Sequence, residues 1–127
     1  MTKVYSKALN EFTEIDRLIG EYRGEQPGPT LIFTAGIHGN EPAGVFALKD
    51  VFEKLKSQNI SFKGNMFAIG GNLPALEKGI RYKEVDLNRV WHEDSVSDIR
   101  NGTDYSSENE PLEQKEIYDL VKKLLQK

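Results

Sequence analysis

The chain has 127 residues, 38% hydrophobic and 29% charged, with 20 acidic against 17 basic side chains, a formal charge of −3 and no Cys. That length suits one domain able to bury roughly two-thirds of its unfolded surface. The composition excludes disulfides, thiolate metal ligands and a cysteine nucleophile, and it argues against nucleic acid, which needs surplus Lys and Arg.

No apolar run approaches a membrane span, and Met1 to Lys7 lead into no signal-like stretch. A soluble, cytoplasmic domain with no membrane partner is therefore expected, since a Cys-free chain also suits a reducing compartment.

In chain order, residues 16–24 carry a modest strand signal. Gln26-Pro27-Gly28-Pro29 reads as a turn, because the prolines fix φ and remove donors while the glycine relaxes the backbone. Thr30 to Ala35 is an unbroken β-prone apolar run, which predicts a strand buried on both faces. After the glycine-punctuated stretch 36–44, Val45, Leu48, Phe52 and Leu55 fall at helical spacing, predicting a helix from Pro42 to Ser57 with Phe46 and Phe52 in the core. A second buried strand, Lys63 to Ile69, ends at Gly70-Gly71. Strand, helix, strand in this order predicts a right-handed crossover in a parallel sheet.

Beyond Gly71 the chain reads as less regular. Leu73 to Lys78 suits a short helix, 80–91 a connection, and the polar residues 93–109 an exposed loop. From Pro111 an apolar stripe through Leu112, Ile117, Leu120, Val121, Leu124 and Leu125 predicts a terminal helix. Glu110 and Glu113 at its start and Lys122, Lys123 and Lys127 near its end suit the helix dipole. Tyr5, Tyr22, Phe33 and Phe67 suggest only packing. The expected architecture is a single α/β domain over 1–127, a mixed or mostly parallel sheet flanked by helices. It is expected to be the front part of a longer protein, since an alternating chain should continue into another strand.

Two constellations could carry chemistry. His38 and Glu41, three apart at a strand-to-helix junction, can aim at one point beyond the strand's carboxyl end, where open α/β sheets bind ligands. Imidazole and carboxylate are two of the three protein ligands of a His₂Glu zinc site. The pair could equally be a helix-capping histidine beside a carboxylate that favours the dipole. Arg81, Asp86, Asn88 and Arg89 form the second set. Guanidinium forks and an amide donor suit carboxylate recognition, although a solvated loop with local ion pairs would use the same residues.

The segments GIHGNEPAG and NLPALEKGIRYKEVDLNRVW, in this order and behind two buried strands, resemble the succinylglutamate desuccinylase/aspartoacylase family over about residues 30–91. These are zinc-dependent deacylases related to carboxypeptidase A-type metallopeptidases, so the resemblance implies a partial zinc-carboxypeptidase-like fold. It implies that His38 and Glu41 ligate Zn²⁺, that Arg81 polarises the scissile carbonyl, and that Asn88 and Arg89 hold a substrate carboxylate. Asp86 is given a structural role, orienting the neighbouring loop. The implied reaction is amide hydrolysis of an N-acyl amino acid, succinylated or acetylated.

The family's third ligand, a later histidine, and its general-base glutamate have no matching positions. His92, the other histidine, is expected to be partly exposed and no ligand. The 127 residues alone are therefore expected to bind zinc weakly and to lack activity. An incomplete sheet edge is expected to drive self-association, which sedimentation at high concentration checks. A peptide-cleaving metallocarboxypeptidase and a non-catalytic module for acidic small molecules remain alternatives.

Overall fold

A computed structural model describes residues 1–105 and 109–126. The chain opens with an antiparallel hairpin, β1 (Thr2–Ser6) and β2 (Glu11–Ile15), that the sequence pattern did not announce. Its strands are short and charged. They are joined by one cross-strand aromatic pair, Tyr5 with Phe12, whose ring centroids lie 4.7 Å apart. Val4 and Ile15 turn inward, and these two apolar positions are too few to mark a periodic segment.

The principal sheet has the order β3-β5-β4, from β3 (Leu18–Arg23), β4 (Gln26–Ala35) and β5 (Lys63–Gly70). β4 and β5 are parallel and β3 and β5 antiparallel, so the sheet is mixed. The expected strands at 16–24 and 63–69 are present. The expected turn at Gln26–Pro29 is not, because these residues extend β4 and the chain reverses before them, at Gly24 and Glu25. A proline can sit in a strand at an edge, where no ladder donor is missed.

Nor is Thr30–Ala35 buried on both faces. Leu31 and Phe33 are each 40% exposed, and only Ala35 of this run is fully buried. An unbroken apolar run shows that a strand is β-prone; whether anything covers each face depends on distant helices. Here β5 occupies the centre and is the strand buried at Phe67, Ala68 and Ile69.

Helices lie against both faces. α1 (Ala43–Ser57) delivers Val45 to a cluster with Val4, Ile15, Ala35 and Leu76. It also presses Phe52 onto Gly20 of β3, where a Cβ would come within 2.5 Å of the ring. On the other face Ile69 clusters with Leu87 and with Ile117 of α4 (Glu110–Leu124). Burying these side chains contributes about 1.5–3 kcal/mol each before entropy is counted. α2 (Leu73–Lys78) is present as expected, with Asn72 capping its start.

The expected loop at 93–109 is overturned over its first half. Glu93–Arg100 form α3, opened by a reciprocal cap between His92 and Ser95 and tied down by buried Ile99. The polarity that suggested a loop belongs to a helix with one apolar anchor. Residues 106–108 of that stretch, and Lys127 beyond α4, lie outside the described residues. Among the described residues no helix is long and apolar enough to cross a membrane.

Candidate active site

β4 and β5 leave the sheet side by side. Gly71 N donates to Ala35 O at 2.8 Å and Asn72 N to Gly36 O at 2.8 Å, which pairs the two exits. The loop 36–42 therefore leaves the carboxyl end of β4 next to the segment that follows β5. The two connections meet again further out, where Gly39 N donates to Arg81 O at 3.1 Å. Only glycine fits at 39, because a Cβ would run into the backbone of Ala75 and the carbonyl oxygen of Ile80.

This contact brings the two constellations together. His38 Nδ1 lies 3.4 Å from Glu41 Oε2, and His38 Nε2 lies 2.8 Å from Asp86 Oδ1. Arg81 Nη1 is 3.5 Å from Glu41 Oε1. The imidazole is largely enclosed, with 11% of its side chain exposed, whereas Glu41 is 64% exposed and faces solvent. No side chain caps α1, whose first flanking residue is Pro42, so His38 is not a helix cap.

Asp86 decides the tautomer. The backbone N–H of Asn88 and then the bond from His38 hold its carboxyl below the usual value, against the opposing effect of desolvation. An ionised carboxylate only accepts, so Nε2 must carry the hydrogen. In the neutral ring the Nδ1 lone pair then faces the Glu41 carboxylate. Two electron-pair donors converging in this way are an arrangement a cation completes, either a proton on Nδ1 or a metal ion. Tetrahedral zinc, with bonds of about 2.0–2.2 Å, requires neighbouring ligand atoms about 3.4 Å apart. The His38–Glu41 separation fits that spacing, and an imidazole backed by a carboxylate is a common second layer of metal sites. Among the described residues no group of three His, Cys, Asp or Glu gathers to hold an ion.

Asn88 and Arg89 sit on a single 3₁₀ turn, Leu87–Arg89, that Asp86 caps by accepting from Asn88 N at 2.9 Å. Both side chains are exposed, and among the described residues neither has a hydrogen-bond or ion-pair partner. The structure thus gathers His38, Glu41, Arg81 and Asp86. It leaves Asn88 and Arg89 joined to them through the backbone, their side chains without a partner among the described residues. Among the described residues the ion pairs of this loop run outward, from Arg81 to Glu41 and from Asp86 to His38. His92 is exposed at the head of α3.

Sequence reading missed two residues that shape this region. Arg17 donates to Gly70 O at 3.0 Å and to Gly71 O, and pairs with Glu113, clamping the β5 exit onto α4. Burial pushes the Glu113 carboxyl up, with the Arg17 guanidinium pulling the other way. Glu110, assigned above to the helix dipole, is instead fully buried beneath the arginine loop. It accepts from Asn72 Nδ2 at 2.8 Å and from the backbone N–H groups of Lys83, Glu84 and Val85 at 2.7, 2.9 and 3.1 Å. Burial alone would raise its carboxyl; these four donors outweigh that and hold it below the usual value. Nothing in the local pattern distinguishes Glu110 or Arg17 from surface charges.

A mixed sheet between helices, with its polar cluster at the carboxyl ends of two parallel strands, defines an α/β protein. The solved structure of succinylglutamate desuccinylase from Chromobacterium violaceum superposes with a TM-score of 0.59 at 18% identity, over 78% of this chain and 30% of that one.

Residues 27–127 match the succinylglutamate desuccinylase/aspartoacylase catalytic domain, and the chain belongs to that family. Succinylglutamate desuccinylase from Photorhabdus laumondii is 39% identical over 67 residues, 53% of this chain and 21% of that protein. The Pseudomonas aeruginosa protein of the same name is 34% identical over 65 residues, 51% of this chain and 20% of its own. The matched segment is thus about a fifth of the length of these relatives.

Proposed function

We propose that this chain carries part of the active site of a zinc-dependent deacylase that cleaves the amide bond of N-acyl amino acids, succinylated or acetylated, in the cytoplasm. The observation that carries the reading is the 3.4 Å approach of His38 Nδ1 to Glu41 Oε2, with Asp86 fixing the ring from behind. Family membership and the names of the relatives support the substrate class.

In this reading His38 and Glu41 hold the ion through Nδ1 and a carboxylate oxygen. Zinc, when bound, lowers the pKa of water and polarises a carbonyl. Arg81, beside Glu41 and half exposed, takes the negative charge that develops on the substrate's carbonyl oxygen. Asn88 and Arg89, whose side chains are exposed, grip the substrate carboxylate, the guanidinium doing so through two parallel N–H bonds. Asp86 keeps the imidazole oriented and its proton on Nε2.

Zinc calorimetry tests the ligand assignment. The 127-residue chain is expected to bind zinc weakly, since two ligands hold an ion less firmly than three, and His38→Ala should remove the signal. Unchanged binding by His38→Ala would overturn the assignment, and tight one-to-one binding would contradict a two-ligand site. For a longer form, chelator should abolish hydrolysis of acyl amino acids. Turnover of peptides alone would favour a metallocarboxypeptidase, and binding of acidic ligands without turnover a non-catalytic module.

A further inference from the structure

We propose that Glu110 is a positioning residue of this site, whose buried carboxylate templates the arginine loop and so presents Arg81 to Glu41 and Asp86 to His38. The inference rests on the reading above only in taking those residues as the working ones.

The argument starts from what the carboxylate does with its lone pairs. Oε2 accepts from Asn72 Nδ2 and Lys83 N; Oε1 accepts from Glu84 N and Val85 N. Three consecutive main-chain amides point at one anion, the nest geometry by which proteins bind anions, here filled by the protein's own side chain. Among the described residues no cation pairs with Glu110, so N–H dipoles alone stabilise its charge. An acceptor-only group is required, because an amide in its place would turn a donor toward at least one of these donors.

Nor are the bonds spent on α4 itself. They go to a loop more than twenty residues earlier in the chain, and to Asn72, whose own Oδ1 caps α2. The starts of α2 and α4 and the arginine loop therefore meet at one carboxylate. Arg81 lies two residues before the templated amides, and its carbonyl is bonded to Gly39. Asp86 follows Val85 directly and reaches His38. Fixing the backbone at 83–85 fixes where both side chains start.

Glu110→Gln preserves the volume and provides the test by NMR at neutral pH. In the folded variant, the amides of Lys83, Glu84 and Val85 are expected to lose at least tenfold in hydrogen-exchange protection. The ring nitrogen signals of His38 should also move away from those of an Nε2–H bonded to carboxylate. The amides of β5 and of α4 past its first turn should keep their protection. Glu110→Asp, which retains the charge and the acceptors one methylene shorter, should show the same local pattern more weakly, and serves if Glu110→Gln does not fold. Uniform loss of protection with the His38 signals unchanged would reduce Glu110 to a structural anchor and overturn the proposal. Retained protection at 83–85 would overturn it as well. Failure of zinc to bind His38 would remove the metal reading while leaving this result readable, so the two can fail separately.

Discussion

The loop 36–42 and the loop 79–90 meet through the bond between Gly39 and Arg81, but they are held in place by different means. The first is held by close backbone approach to the segment that follows β5. It leaves β4, turns, and enters α1, and its key requirement is the missing side chain at Gly39. The second has little regular structure apart from one 3₁₀ turn and is held from below by Glu110, which comes much later in the chain. A site assembled this way has one wall set by steric fit and another set by a buried charge. The two should respond differently to mutation and to pH.

Gly39→Ala should produce the largest effect. Its Cβ would meet main-chain atoms that cannot swing aside, so the loops must separate; a loss of more than about 3 kcal/mol is expected in denaturant unfolding. A variant as stable as the parent would show that the loop contact is dispensable.

Glu110→Ala should follow, at about 2–3 kcal/mol, because four donors lose their acceptor together. The Glu110 carboxyl lies below its usual value in the folded protein. Its contribution is therefore complete above the usual carboxylate range and is lost as pH falls through the folded-state value. Glu113 is shifted the opposite way, so its contribution is present at low pH and fades as pH rises through its raised value. Subtracting the Glu110→Gln stability curve from the parent's removes the Glu113 contribution. The remaining gap should be widest at neutral pH and close on acidification. A gap that widens in acid would reverse the sign assigned to Glu110.

Arg89→Ala should change stability least, by less than about 0.5 kcal/mol, since its exposed side chain has no partner among the described residues. Any functional loss in a longer form would then belong to ligand contact alone. A large stability loss would place Arg89 among the structural residues instead.

The same contrast governs how much could be read in advance. α1, β5, α2 and α4 were legible because periodicity and capping are local properties. So was the His38–Glu41 pair, whose spacing and flanking glycines lie within one short stretch. α3 was not, since Ile99 is its one buried residue and a polar surface helix looks like a loop until its cap between His92 and Ser95 is seen. The β1–β2 hairpin was missed for a similar reason, and β4 was judged more buried than it is.

The sequence by itself determined the class of fold and the family, and it singled out His38, Glu41, Arg81, Asp86, Asn88 and Arg89 as the candidate site residues. Tertiary structure alone decided that Asp86 stands behind His38, that Arg81 reaches Glu41, and that Glu110 lies under the loop rather than at the surface. The reason is physical. The groups that Glu110 and Arg17 recognise are mostly main-chain amides and carbonyls, which every residue offers alike, so the partners leave no mark in the sequence. Only the folded path of the chain selects which of them a buried charge will meet.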